Sequence, residues 1–245
     1  MRELDRESND TPLIPAVAVI GRGRLGCALA AALDADPPLA RGEAPPAAAE
    51  VVILAVPDGA IAPLAAALAP GPAVGHCAGA LGLDALEPHG ERFSLHPLMT
   101  LTPGAGAGAL HGAGAAVAGS TPRALELAAR LARRAGLEPF AVDDADRALY
   151  HAAASVASNF LVTLEALAER LFALAGVERR HAARLARASL DNWAALGGAH
   201  ALTGPIARGD GATVARQRDA IAARAPEMLA VFDAMADATR GLTAV

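Results

Sequence analysis

Gly21-Arg22-Gly23-Arg24-Leu25-Gly26 follows directly after the apolar run Ala16-Val17-Ala18-Val19-Ile20. A short apolar run that ends at glycine is typical of a buried parallel strand, and residues 25–33 predict the helix that follows. G-x-G-x-x-G between a strand and a helix brings backbone N–H groups to a pyrophosphate. Its glycines serve the tight turn, the approach of the phosphate and helix–strand packing. The segment therefore predicts dinucleotide binding; a merely compact turn is the alternative.

Apolar runs and helical patterns alternate up to residue 142. Further strands are predicted at 51–56, 72–77, 93–96, 115–118 and 139–142. Helices are predicted at 59–68, capped by Asp58, and at 121–135, capped by Ser120 or Thr121. The expected second strand is weak, because the Pro- and Gly-rich stretch 36–49 offers only Pro38-Leu39-Ala40-Arg41. This order predicts an α/β fold with a doubly wound parallel sheet, a Rossmann-like domain.

Strand signals stop after residue 142. Helices are predicted at 146–175, ending at Gly176, at 178–196, and from 211 to the end, with a non-helical insert at 202–210 in which Asp210 caps the next helix. We therefore expect a disordered leader at 1–12, a dinucleotide-binding domain at 13–142 and an all-helical domain at 143–245.

Composition excludes several classes of function. The net charge of -5 gives no general attraction for nucleic acid or an anionic membrane, and 3% aromatic residues provide no surface for base stacking. The chain contains no lysine, which excludes Schiff-base chemistry and a P-loop lysine. Cys27 and Cys77 lie outside any metal spacing, and neither a signal peptide nor a membrane span is evident, so a cytoplasmic location is expected.

Three arginines bear on the choice of cofactor. Arg22 and Arg24 flank the glycines, and Arg41 lies near the end of the expected second strand. NAD enzymes place an acidic residue there, whereas arginine accommodates the 2′-phosphate of NADP. Glu43 is also nearby, so NADP is favoured and NAD stays open.

Other candidate residues follow predicted strands. Val56-Pro57-Asp58 ends one strand and would line the cofactor, although Asp58 is also explained as a helix cap. His76 and His96 end two more, where an imidazole is well placed for acid–base chemistry or simply braces a loop. Cys77 is interpreted as a small buried residue.

A polar stripe is predicted on the long helix. His151, Ser155 and Asn159 follow one another at four-residue spacing and would share one face of an α-helix. The stripe is uncharged in a chain whose helices otherwise carry Arg, Asp and Glu, which favours a cleft over a solvated face. Tyr150 beside it could add a hydroxyl.

Together these segments resemble a bacterial family that pairs a Rossmann-like domain with a helical domain of unknown function, DUF2520. The matching stretches are 21–26, 51–58, 75–80, 94–98, 150–159 and 202–210. The wider relatives are the 6-phosphogluconate dehydrogenase-like superfamily, with pyrroline-5-carboxylate and ketopantoate reductases. The resemblance implies an NADP-linked reductase or dehydrogenase, a homodimer formed through the helical domains, and an active site between domains.

The sequence departs from this superfamily at one catalytic position. Many members carry a lysine four residues before an asparagine on the first long helix; here Asn159 matches the asparagine, but Ser155 replaces the lysine. His151 or His96 would then move the proton, with Ser155 and Asn159 orienting a small carbonyl, imine or alcohol. A non-catalytic dinucleotide sensor is the alternative function, and a reduced deazaflavin is an alternative cofactor.

Overall fold

The computed structural model describes residues 15–243, so the predicted leader at 1–12 lies outside the described residues. The chain forms two compact units, one ending at Ser155 and the other beginning at Val156. The predicted domain boundary after residue 142 stays a prediction, because a compact unit is not by itself an independently folding domain.

The first unit is built on one six-stranded sheet in the order β1-β2-β3-β4-β5-β6. Its strands are β1 Val17–Ile20, β2 Val51–Leu54, β3 Ala73–His76, β4 Arg92–Pro97, β5 Gly114–Gly119 and β6 Glu138–Ala141. Each coincides with a predicted run. Neighbouring strands are parallel except β4 and β5, which are antiparallel. The chain between those two has only the short 3₁₀ helix Ala107–Leu110, and an antiparallel pair needs no helical crossover.

Helices cover both faces of this sheet. The helices are α1 Arg24–Ala32, α2 Ile61–Ala67 and α3 Pro122–Arg134. Side chains of α1 and α3 share one buried cluster with Val19 and Ile53, whereas α2 packs with Val52 and Leu54 on the opposite face. Successive strand residues point to opposite faces, so burial on both sides requires the unbroken apolar runs seen in the sequence. The doubly wound Rossmann-like fold is confirmed.

The weak second strand is reduced to one residue. Leu39 forms an isolated parallel bridge with Ile20, and its N–H donates to the Val19 carbonyl at 2.8 Å. The carbonyl of Leu39 accepts from the Gly21 N–H at 2.8 Å. Leu39 lies along one edge of β1, and β2 pairs with the opposite edge, so the order of the chain across the sheet reverses at β1. This reversal opens a crevice beside Gly21, the usual place for a ligand in such sheets.

The predicted helix caps have different outcomes. Thr121 accepts a hydrogen bond from the Ala124 N–H at 3.0 Å, which confirms it as the cap of α3. Asp58 as a side-chain cap is wrong, because the chain enters α2 through the 3₁₀ turn Asp58–Ala60 and neither helical start has a side-chain cap bond.

The long helix predicted at 146–175 contains an irregular turn. It consists of α4 Arg147–Ser155, the π-helix Val156–Phe160 and α5 Leu161–Leu174. The last residue of α4 closes the first unit. Gly176, at φ 77°, ends the helix as predicted.

The remaining helices belong to the second unit. They are α6 Arg179–Leu196, α7 Gly198–Ala201, α8 Gly204–Ala207, α9 Gly211–Arg224 and α10 Leu229–Thr243. The prediction of a wholly non-helical insert at 202–210 is wrong, since α8 forms one turn there. Asp210 caps α9 as predicted, accepting from the Thr213 N–H at 3.0 Å. No helix within 15–243 is long and apolar enough to cross a membrane.

Candidate functional site

The glycine loop after β1 has the shape of a phosphate cradle. A Cβ on Gly21, at φ 124°, would overlap the Ala55 carbonyl oxygen, and one on Gly26 would overlap the Gly21 carbonyl oxygen. These two glycines therefore hold the turn and the helix close to the sheet. Gly23 differs, because a Cβ there would meet nothing within 4 Å. Open space at the N-cap of α1, beside the first N–H groups of the helix, which have no partner within a helix, fits a dinucleotide pyrophosphate.

The three candidate arginines have different surroundings. Arg22 donates to the Pro38 carbonyl at 3.0 Å and pairs with Glu43 at 2.9 Å. Arg24 donates across to the Leu101 carbonyl at 2.7 Å. Arg41 is exposed and makes no side-chain hydrogen bond with the rest of the described chain. Glu43 also accepts from the Ala40 N–H at 2.7 Å, so the acidic candidate for a ribose contact is engaged by the protein itself.

The turn after β2 lies beside this cradle. A Cβ on Gly21 would come within 3.1 Å of the Val56 side chain, so the two loops are in close contact. Pro57 and Asp58 follow on the exposed side of the turn. Leu25 is half-buried against the core beneath α1. These positions are compatible with lining a cofactor, and their role stays a prediction.

His76 is fully buried and braces the loop after β3. Its Nδ1 accepts from the Ala78 N–H at 3.2 Å, which leaves Nε2 to donate to the Gly82 carbonyl at 3.2 Å. Burial lowers the pKa of His76, so the ring is neutral at pH 7. Cys77 beside it is buried as predicted, and burial raises the pKa of its thiol to about 12. The contact of His76 with a cofactor stays a prediction.

Two imidazoles converge over Gly79 in the same loop. A Cβ on Gly79 would lie 2.6 Å from Cδ2 of His151 and 2.9 Å from Nε2 of His96. The two rings stand 6.1 Å apart between centroids. On its other side, Nδ1 of His96 lies 2.7 Å from the Tyr150 hydroxyl. The structure thus brings together His96 from β4 and His151 from α4, both at the carboxyl edge of the parallel strands.

A buried arginine fixes α4 against this edge. Arg147 is 1% exposed, and its Nε donates to Oδ1 of Asp144 at 2.8 Å. Its Nη2 donates to the Ser94 hydroxyl, while Nη1 is buried without a partner in residues 15–243. Asp144 also accepts from the Leu83 N–H at 3.2 Å. One guanidinium therefore ties the start of α4 to β4 and to the loop after β3.

This environment keeps His96 uncharged. Burial, together with the nearby charges of His151 and Arg147, lowers the pKa of His96 to about 4. Burial raises the pKa of Tyr150, and the positive charge of Arg147 opposes that rise. Burial also disfavours the charged form of Asp144, but hydrogen bonds from Arg147 and Leu83 outweigh it and lower its pKa. At neutral pH the site therefore holds a neutral imidazole beside a protonated phenol.

The rest of the predicted stripe does not continue in α-helical register. Ser155 donates to the His151 carbonyl at 3.0 Å, the bond expected of a serine one turn later in a helix. Asn159 lies within the π-helix, where hydrogen bonds run from i to i+5 and rotate later side chains away from α spacing. Ser155 and Asn159 belong to different compact units. Their part in orienting a substrate stays a prediction.

Sequence reasoning missed Ser94, Asp144 and Arg147. Two sequence features could have pointed to them. Strand alternation puts Ser94 on the same face as His96, and Asp144 and Arg147 have the i,i+3 spacing of a helical ion pair. A cavity of about 800 Å³ lies near Glu50 and Glu91, at the amino edge of the sheet and opposite the edge that carries the glycine loop. It is far from the glycine loop, so size alone does not locate the site.

The fold and the glycine cradle define a class, the Rossmann-fold proteins built like NAD(P)-dependent oxidoreductases. Within it, the chain belongs to the family described as a domain of unknown function, DUF2520, whose model matches residues 114–239. This confirms the resemblance drawn from the sequence. No curated protein matches the chain.

Three solved structures share the fold. A proposed NADP oxidoreductase from Bacteroides fragilis is 18% identical, covering 92% of this chain and 97% of its own, with a TM-score of 0.77. A Thermotoga maritima protein is 25% identical over 93% and 98%, with a TM-score of 0.75. The 1-pyrroline-5-carboxylate reductase of Streptococcus pyogenes is 13% identical over 94% and 98%, with a TM-score of 0.60.

Proposed function

We propose that this protein is an NADP-dependent oxidoreductase that transfers hydride between nicotinamide and a small carbonyl, imine or alcohol. One observation carries the proposal: the open phosphate cradle at Gly23 and the imidazole pair over Gly79 lie at the same edge of one sheet. A bound nicotinamide dinucleotide would supply the hydride. A group at this edge must then give or take a proton, which is the task of a general acid or base.

Of the two imidazoles, His96 is the better candidate for that proton. Its ring is held by Tyr150 and kept neutral, whereas the ring of His151 is exposed and makes no hydrogen bond to another described residue. A neutral imidazole donates a hydrogen bond to a developing oxyanion without carrying a charge into the ground state. His151 packs against the same glycine, with its ring centroid 6.1 Å from that of His96.

The first test is a thermal-shift titration with NADPH, NADH and their oxidised forms. Binding at a hundred times Kd adds about 2.7 kcal/mol to the free energy of unfolding, which raises the melting temperature measurably. A shift with NADPH larger than with NADH supports the proposal and justifies a screen of aldehydes, ketones and imines. Absence of a shift with every nicotinamide would refute it.

A variant pair tests the preference for NADP. Arg41→Gln should weaken NADPH more than NADH, because Arg41 is the candidate cation that is not already bound to the protein. Arg187→Gln removes another exposed arginine and serves as the matched control. If Arg41→Gln weakens both cofactors equally, the 2′-phosphate assignment is wrong. Nicotinamide binding without turnover across the substrate screen would instead favour the sensor.

We also propose that the helical unit forms a homodimer. Within residues 156–243 its buried apolar cluster consists of Ile221, Ala225 and Met228 with a few partly buried neighbours, while large apolar side chains are exposed. Among them are Trp193 at 59%, Leu185 at 60% and Leu196 at 56%. Such a surface on α6 is expected to be covered, and a second copy offers the same apolar face. Sedimentation of the wild type and of Leu185→Glu should show a dimer and a monomer; a monomeric wild type would refute the proposal.

A further inference from the structure

We propose that Tyr150 and His96 form a proton relay that carries a proton from solvent to the reacting atom, an inference that rests on the proposed function. The pair consists of a phenol and an imidazole joined by a 2.7 Å contact. His96 would touch the substrate and is the catalytic residue. Tyr150 acts through His96 and is a positioning residue that also supplies its proton.

The two nitrogens of His96 face different surroundings. Nδ1 meets the Tyr150 hydroxyl, whereas Nε2 packs beside Gly79, so closely that a Cβ there would lie 2.9 Å from it. If the phenol donates to Nδ1, the imidazole proton must sit on Nε2, on the side of the partly exposed ring that faces His151 and Gly79. The relay therefore depends on one tautomer, and Nε2 is the atom that delivers the proton.

Tyr150 connects the relay to solvent on its other side. It lines an open cavity of about 400 Å³ together with Asp143 and Asp146. Both carboxylates are exposed, and no hydrogen bond joins either side chain to another described residue. Water in this cavity can reach the Tyr150 side of the pair, so a proton lost from Tyr150 can be replaced from there.

The transfer balances in the direction of reduction. A bound dihydronicotinamide would supply hydride to the carbonyl carbon, and the carbonyl oxygen, left with the C=O π pair, would need a proton. That oxygen takes the proton from Nε2 of His96, while Nδ1 takes the proton from Tyr150. The imidazole ends neutral in its other tautomer, and the phenolate regains a proton from water in the cavity. Once product has left, Nε2 takes a proton from solvent and Nδ1 returns one through Tyr150 to the cavity, which restores the starting tautomer. Oxidation runs the same steps backwards.

The charges around the pair suit this transfer. Burial raises the pKa of Tyr150 and lowers that of His96; the positive charge of Arg147 opposes the first shift and adds to the second. Its positive charge would stabilise the transient phenolate. The other titratable groups that act on His96 are His151 and His76, which disfavour its protonation, and Asp58, which favours it. Burial, the largest cause, and the positive groups outweigh Asp58 and keep the imidazole neutral, so that it passes a proton instead of storing one.

The first arm of the test needs no substrate. Nitrogen-15 NMR of histidine-labelled protein should show His96 neutral at pH 7, with the proton on Nε2 and a hydrogen-bonded, unprotonated Nδ1. Tyr150→Phe keeps the ring and removes only the hydroxyl, so it should shift His96 towards a mixture of tautomers at an unchanged melting temperature. A wild-type His96 protonated on Nδ1 would overturn the relay, because His96 would then donate to Tyr150.

The second arm uses the enzyme loaded with NADPH and a substrate found in the screen. Tyr150→Phe should lower kcat by about 10- to 100-fold with KM changed less than about twofold, because general acid–base transfer contributes at least that much. Tyr150 is the single tyrosine of the chain, so tyrosinate absorbance during a single turnover reports on it alone. Phe140→Leu alters packing against the same ring and is the control, since it leaves the hydroxyl in place.

The outcomes separate the relay from the function on which it rests. Normal cofactor binding with equal turnover in Tyr150→Phe and wild type would overturn the relay and leave the oxidoreductase standing. Absence of nicotinamide binding would refute the oxidoreductase and any catalytic use of Tyr150 and His96, whichever tautomer of His96 the NMR spectra show. The expected tautomer, the loss of kcat and a transient tyrosinate together would support the relay.

Discussion

Replacing Gly23 by alanine should separate cofactor binding from stability. Gly23 is the N-cap of α1 at φ -77° and ψ 177°, an extended conformation that alanine adopts freely, and its Cβ would meet nothing within 4 Å. Alanine is a poorer N-cap than glycine by up to about 1 kcal/mol. Its lower entropy in the unfolded chain offsets about 0.4–1 kcal/mol of this. The free energy of unfolding should therefore change by less than about 0.5 kcal/mol.

Cofactor affinity should respond much more strongly to the same change. The added methyl group would occupy the space through which a pyrophosphate reaches the helix N–H groups. Losing one hydrogen bond to a charged phosphate costs about 1.5–3 kcal/mol, which is roughly 10- to 100-fold in Kd. Titration of NADPH by calorimetry, with unfolding in urea measured in parallel, would test both halves.

Gly106→Ala is a matched control for this variant. Gly106 is also an N-cap, at φ -89° and ψ -174°, and a methyl group added there would likewise meet nothing within 4 Å. It precedes the 3₁₀ helix Ala107–Leu110 instead of the phosphate cradle, so NADPH affinity should be unchanged. If Gly23→Ala bound NADPH as tightly as Gly106→Ala, the assignment of the cradle would be refuted.

Three further predictions concern the site over the β3 loop. Gly79→Ala should push apart His96 and His151, lower the free energy of unfolding by about 1–3 kcal/mol and reduce turnover; unchanged melting would contradict the packing described. His96→Gln should flatten the pH dependence of the free energy of unfolding. The pKa of His96 is about 4 in the folded protein against an ordinary 6.5, so the unfolded chain binds the proton first and wild-type stability falls as the pH drops from 6.5 to 4. Equal slopes for the variant and the wild type would argue against a depressed pKa. Asp144→Asn should lower the free energy of unfolding in urea by about 3–5 kcal/mol, because it leaves the charge of Arg147 buried without its partner. Arg147→Met removes that charge as well and should cost only about 1–3 kcal/mol. The reverse order would show that Asp144 is not the main counter-charge.

The clearest strands could be read from the sequence because they are short apolar runs stopped by glycine or proline, as β1 is before Gly21 and β2 before Pro57. Strand direction could not, since alternation and burial look the same in either direction, and the antiparallel pairing of β4 and β5 was not expected. The π-helix at Val156–Phe160 could not be predicted for a similar reason, because one extra residue in a turn leaves the composition of a helix unchanged. Leu39 keeps a single bridge where the sequence already offered only a weak strand.

The candidate site was predictable only in part. His96 and His151 were chosen from strand ends and helix spacing, and the structure places both over Gly79. Arg147 could not be chosen in the same way, because an arginine near the start of a helix is expected at the surface. Its burial depends on Ser94 and Asp144, which come from separate parts of the chain, and such a three-way contact has no local signature.

The close approach of two rings to Gly79 also constrains how the family can diverge. A lineage that keeps both imidazoles has no room for a side chain at this position, whereas a lineage that has lost either ring gains space for alanine or serine. A residue larger than glycine at position 79 should therefore occur only together with loss of His96 or His151. Reading that one position would identify members that lack the pair before any of them is purified.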